Sequence, residues 1–333
     1  MNKKERVIAA LEGRPVDRVP VSFWRHMRSD AGDGPALGRE CAEKHLAFYR
    51  STDLDFIKIM QDGFNAPFDT HITSIQDLRR IRPADPDSSF VRDYIERAMW
   101  VNELIGGEVP TYCNLFSPFM LLRKIGDETL SELIRQDEKE VAAALDRISE
   151  GMCGIIESLL TTCGCFGLFV CFQGAEFDRF SPDVHQRLVR PGDLRVMTCA
   201  NRFSAYNIAH FCAWDGGRND LTRWRDYPAR AVNWAVHIDR LDLAEGKAFF
   251  GGRPVMGGFD NRVDRLLFKG TKEQVQAETH RLVAEYTMKT GSANGLILGA
   301  DCSFLPPFEL ERFNWVTDAL ATAGTRNGLA KGN

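Results

Sequence analysis

Residues 208–217 read IAHFCAWDGG, and within them His210 and Cys212 stand one residue apart. On a strand, side chains at i and i+2 leave the same face, so an imidazole nitrogen and a thiolate would converge on one point. Both are zinc ligands, and together they make half of a four-coordinate site. Three protein ligands and an open fourth position mark a catalytic zinc, whereas four closed ligands mark a structural one. The spacing alone is a weak signal. Strand histidines are commonly satisfied core residues, and lone cysteines behave as small buried hydrophobes.

The elements around the pair decide whether further ligands can reach it. Short apolar or β-branched runs read as strands at 19–24, 54–60, 111–116, 167–172, 206–212, 231–237, 253–259 and 295–300. Helix-period stretches separate most of them, among them 130–160 and 271–291. Alternation of this kind implies parallel strands with crossover helices, and eight strands close a (β/α)8 TIM barrel. An open doubly wound sheet is the competitor, but neither GxGxxG nor GxxxxGK[ST] occurs. The expectation is one TIM-barrel domain over residues 1–333 with an N-terminal helical extension.

Chemistry in such a barrel collects at the C-terminal ends of the strands. That rim would carry Trp24, Arg25 and His26, then Gln61 and Asp62, Glu176, His210 and Cys212, His237, Asp260, and Asp301 with Cys302. Cys302 ends a different strand from His210 and Cys212, and the barrel mouth would bring it to them as a third ligand. Glu176 and Asp301 are oxygen donors for a fourth position, although strand alternation turns Asp301 away from Cys302's side. Trp24, Phe64, Phe116 and Phe177 are candidates to line the mouth.

Composition narrows the partners. The net charge is −4 over 333 residues and basic residues are scattered, which argues against a nucleic-acid binder. No apolar stretch approaches the length of a membrane span. The first residues lack a secretory core, and nine cysteines are an odd number, so a cytoplasmic, reducing home is expected. Cys163-Gly-Cys165 lacks the CxxC spacing and reads as buried thiols.

Six segments, in order, resemble the uroporphyrinogen decarboxylase superfamily. They are KKERVIAALEGRPVDRVPVSFW, FSPFMLLRKIG with the helix after it, FDRFSPDVHQRLVRP, NWAVHIDRLDLAE, GGFDN and the closing ILGADCSFLPPFELERFNWVTDALATAG. The true decarboxylases carry a histidine in the closing segment and paired arginines in MRQAGRY. Here Cys302 aligns with that histidine, and the basic segment is FWRHMRSD. Arg25 matches one arginine, and Asp62 falls near the decarboxylase's aspartate. The zinc methyltransferase branch, which includes methylcobamide:coenzyme M enzymes, has a His-x-Cys and a distant Cys, the pattern of His210, Cys212 and Cys302.

The resemblance implies a Zn2+ held by those three residues; placement at the strand ends adds Glu176 as a candidate fourth ligand and His237 beside Asp62 and Arg25 as candidate catalytic groups. It implies a corrinoid (cobalamin) cofactor supplied by a separate corrinoid protein, and a small-molecule methyl donor or acceptor. The motif-like Asp183-Val184-His185 opens as a corrinoid-binding signature does, but Leu188 stands where glycine is required. A decarboxylase acting on a tetrapyrrole acid is the alternative, and a monomer or homodimer is expected.

Overall fold

The computed structural model describes residues 1–32, 34–213 and 216–329. Seven parallel strands form one sheet in sequential order: β1 (Ile57–Ile59), β2 (Thr111–Phe116), β3 (Gly167–Phe172), β4 (Ile208–Phe211), β5 (Ala231–Trp234), β6 (Val255–Phe259) and β7 (Leu296–Ala300). The stretch expected as the first strand, 19–24, occupies the eighth position between β7 and β1. Ser22 N donates to Leu298 O at 3.0 Å and Leu298 N to Pro20 O at 2.9 Å, while on the other side Asp55 N donates to Val21 O at 2.8 Å. It forms isolated bridges at Val21 and Arg25 rather than a ladder. Two donors are missing from the ladder: Pro20 has no N–H, and Val21 N is taken by the Asp55 carboxylate at 2.8 Å. The TIM-barrel expectation therefore holds, with one strand reduced to a strap.

Alternation along the strands builds two cores. Leu168, Val170 and Phe172 of β3, Ala209 and Phe211 of β4, and Leu296, Leu298 and Ala300 of β7 face the outer layer of helices. The intervening Phe169 and Cys171, Ile208, and Ile297 face the barrel interior with Trp24, Phe56, Met60, Tyr112 and Met256. His210 has the parity of Ile208, so it points inward too.

The N-terminal extension closes one end of this interior. Asn2 and Glu5 make a capping box for the helix Lys3–Leu11, whose Val7, Ala10 and Leu11 join the inner core. Asp55, fully buried, fastens it by accepting from Arg6 at 2.7 Å and Arg18 at 2.7 Å.

Two boundaries differ from expectation. The helix Asp127–Thr161 is interrupted at Asp137 (φ −156°, ψ 84°), whose side chain accepts from Glu140 N at 3.1 Å and so caps the second half. The expected strand 231–237 stops at Trp234, and His237 lies on the short helix Val236–Asp239.

Candidate metal centre and cavity

β4 delivers His210, and the ladder runs one residue further, with Cys212 N donating to Phe172 O at 3.0 Å. This keeps Cys212 on His210's face. β7 is likewise extended by Asp301 N to Phe259 O at 2.9 Å, after which the chain bends and turns Cys302 inward. The ligand atoms of His210, Cys212 and Cys302 all lie within 4.8 Å of one another. Cys302 Sγ is 3.9 Å from Cys212 Sγ and 3.6 Å from His210 Nε2. His210 and Cys212 are buried and Cys302 is half-buried.

Asn233 on β5 orients the group, and the sequence reading missed it. Its Nδ2 donates to Met256 O and Ala300 O, both at 3.0 Å, which leaves its Oδ1 to accept from His210 Nδ1 at 2.5 Å. Nδ1 therefore carries the proton and Nε2 presents a lone pair to the cysteines. The same amide holds the last carbonyl of β7, two residues before Cys302. An asparagine inside the apolar strand AVNW was the available signal.

The thiols share one hydrogen bond in a dry setting. The bond from Cys212 holds the Cys302 thiol well below its ordinary range, against its burial, and His210 adds to the effect. Cys212 is pushed well above that range, by the same bond first and by burial second. The thiolate form of either residue is the metal-binding form.

The three residues open on a cavity of about 500 Å³ lined also by His26, Lys58, Met60, Gln61, Asp62, Phe64, Asn114, Phe116, Met120, Arg123, Cys171 and Gln173. Lys58, buried on β1, sits 4.7 Å from the Trp24 ring and 4.1 Å from the Phe169 ring, with Cys171 Sγ at 3.9 Å. Among the described residues it pairs with no carboxylate. A lysine in the middle of LDFIKIM is unusual enough to have been noticed.

The remaining expected site residues are placed as follows. Asp62 lines the cavity, and its Oδ1 meets His26 Nδ1 at 2.6 Å while its Oδ2 accepts from Met27 N at 2.7 Å. Burial works to raise its pKa, but His26 and the Met27 N–H more than offset this and hold it below the usual carboxylate range. Glu176 is not in the metal-binding group. Its Oε1 accepts from Arg123 at 2.5 Å, because a buried carboxylate needs a partner and the guanidinium supplies one.

Arg25 and His237 do not line the cavity. Arg25 bridges to Phe304, and burial lowers its pKa. His237 Nδ1 meets Asp301 Oδ2 at 2.9 Å beside a separate cavity of about 120 Å³. Burial lowers the His237 pKa, and Asp301 more than compensates, leaving it raised. Asp301 thus faces away from Cys302's side, because the chain leaves regular strand geometry at 301–302.

Asp260 pairs with Arg262 and Arg265. Phe64 and Phe116 line the mouth, Trp24 lies buried beneath it, and Phe177 is exposed. His185 is buried within the helical run 182–203, the helix expected for this segment.

The family model described as uroporphyrinogen decarboxylase (URO-D) matches residues 57–323. The chain belongs to the uroporphyrinogen decarboxylase family. Within the URO-D family's range of sequences, it is 18% identical over 308 residues to the methylcobamide:CoM methyltransferase MtbA of Methanosarcina mazei, covering 84% of this chain and 88% of that one. A solved methyltransferase from Methanosarcina mazei superposes with a TM-score of 0.76 at 17% identity, covering 97% of this chain and 99% of that one. Endo-glycoceramidase II from Rhodococcus sp. shares the barrel more distantly, with a TM-score of 0.50 at 9% identity over 89% of this chain and 78% of that one.

No helix among the described residues is long and apolar enough to cross a membrane.

Proposed function

We propose that the protein is a zinc-dependent methyltransferase that moves a methyl group between a corrinoid cofactor on a partner protein and a small substrate carrying sulfur or oxygen. The observation that carries this reading is the convergence of His210 Nε2, Cys212 Sγ and Cys302 Sγ on one wall of the cavity, with the imidazole turned by Asn233. Their donor set suits zinc. Tetrahedral bonding at about 2.3 Å to sulfur and about 2.0 Å to nitrogen separates two sulfurs by about 3.8 Å and sulfur from nitrogen by about 3.5 Å. The corresponding separations here are 3.9 Å and 3.6 Å.

Bound by these residues, zinc would supply Lewis acidity, holding a thiol as a thiolate or polarising a methyl-bearing oxygen. The chain does the rest. Met60, Phe64, Phe116 and Met120 offer the substrate an apolar wall and exclude water, and Lys58 adds a positive charge. The fourth coordination position belongs to the substrate's heteroatom in this reading. Glu176 would take it in the resting state only by releasing Arg123. Asp62 acts from the cavity wall. Arg25 and His237 stand outside it, His237 paired with Asp301.

The similarity to a methyltransferase supports this reading over decarboxylation of a tetrapyrrole acid, as does Cys302 in place of the decarboxylase histidine. The test is metal content of the purified protein beside Cys302→Ser, followed by methyl transfer from methylcobalamin to thiols. About one zinc per chain in the wild type, lost in the variant, with transfer that depends on it, is the expected result. Absence of zinc from both proteins, with none taken up by the wild type on titration, would overturn the reading.

A further inference from the structure

Methyl transfer to a group X–H leaves a proton behind, and the reverse reaction needs one returned. Several cavity groups are unsuited to this. Arg123 is engaged by Glu176 and Asp127, and a guanidinium does not give up its proton. Lys58 lies between two rings, and Lys124 is spent on the carbonyls of Phe64 and Asn65.

His26 differs. Its Nδ1 is tied to Asp62 Oδ1 at 2.6 Å, and Nε2 has no protein partner among the described residues. Asp62 is itself immobilised by Met27 N at 2.7 Å, and Arg97 Nη1 donates to the Asp62 carbonyl at 2.6 Å. His45, also near this carboxylate, is buried with both ring nitrogens occupied by Cys41 O and Met60 N, and the neighbouring Cys41 thiol is buried as well.

The strap also sets His26 beside the metal-binding group. Arg25 pairs with Phe304, and His26 N donates to Phe304 O at 3.2 Å, so His26 runs alongside the residues that follow Cys302. His26, Asp62, Cys302 and Ser303 all line the same cavity.

We propose that His26 is the catalytic acid–base residue that exchanges the substrate's proton, with Asp62 as the positioning residue that fixes its tautomer. This rests on the methyl-transfer reading. When R–XH binds, the X–H bond breaks, its electron pair stays on X and the proton passes to His26 Nε2. The X–CH3 bond then forms with that pair, and the pair of the broken donor–carbon bond stays with the donor. In the other direction the proton returns to X as the X–CH3 bond breaks. The carboxylate of Asp62 stabilises the imidazolium in between.

The test uses zinc-loaded wild-type protein, His26→Gln and Asp62→Asn, with 2-mercaptoethanol and 4-nitrothiophenol as probes. The second thiol arrives already ionised near neutral pH. Calorimetry in buffers of different ionisation enthalpy counts the protons released on binding. His26→Gln should release more protons than the wild type with 2-mercaptoethanol, by up to about one per thiol, and no more with 4-nitrothiophenol.

With methylcobalamin as donor, His26→Gln should lose about 100-fold in rate with 2-mercaptoethanol and far less with 4-nitrothiophenol. Asp62→Asn should show the same bias more weakly, and added imidazole should rescue His26→Ala. Equal proton release in wild type and His26→Gln, or an equal rate loss with both thiols, would overturn the proton role and leave methyl transfer standing. Absence of thiol binding to the zinc-loaded wild type would overturn methyl transfer, and the proton role with it.

Discussion

At the scale of single residues, the centre depends on a side chain that touches no substrate. Asn233 donates to two carbonyls and accepts from His210, so it selects the imidazole tautomer and holds the end of β7 at once. Partners of this kind orient a metal ligand, and losing them typically costs about 10- to 100-fold in metal affinity. Asn233→Ala should weaken zinc binding by that factor, measured by competition with a chromophoric chelator, while circular dichroism stays unchanged. Unaltered affinity would mean that packing alone orients His210. The i, i+2 spacing of His210 and Cys212 was readable because strand periodicity needs no tertiary knowledge. Asn233 and Lys58 stood in view as polar residues inside apolar strands, but a spacing rule does not say what they touch.

At the scale of elements, the N-terminal helix and the strap are held by one buried charge cluster. Asp55 accepts from Arg6, from Arg18 and from Val21 N, and it is fully buried. Asp55→Ala leaves two guanidinium groups without this partner, and breaking a buried pair costs about 3–5 kcal/mol. The expected outcome is a lower midpoint in guanidinium unfolding and faster amide exchange in residues 3–11.

The helix Gly38–Arg50 contributes a second measurable feature. His45 Nδ1 donates to Cys41 O at 2.7 Å and its Nε2 accepts from Met60 N at 2.8 Å, a pattern that only the neutral ring satisfies. Burial pushes its pKa down to about 4. The unfolded chain, with histidine near 6.5, then binds the extra proton between those values. Stability from this group is fully present above about pH 6.5 and falls by about 1.4 kcal/mol per pH unit toward pH 4. Unfolding midpoints measured across that range should show this slope, and His45→Gln should flatten it at a lower overall stability. An unchanged slope would assign the acid sensitivity to other groups.

At the scale of the whole molecule, the two hydrophobic cores are built from residues other than His210, Cys212 and Cys302. The helices pack on the outside of the sheet, the inner core fills the barrel, and the ligand residues stand at the strand ends. On the proposed reading, stripping zinc with a chelator should therefore abolish methyl transfer while leaving the far-ultraviolet circular dichroism and a cooperative thermal transition in place. A structural zinc would behave oppositely, with the chain unfolding when the metal leaves.

The sequence by itself determined the alternation of strand and helix, the inward face shared by His210 and Cys212, and the family, because these depend on local periodicity and on motif order. Tertiary structure decided the rest. Cys302 meets His210 only because the sheet curls until β7 approaches β4 through Asn233, a contact between residues 92 positions apart. The 19–24 run became a strap because a carboxylate 34 residues away from Val21 takes the N–H that a ladder would have used. Glu176 fell to Arg123 for the same kind of reason: a buried charge goes to whichever partner the fold brings near, and sequence spacing does not say which that will be.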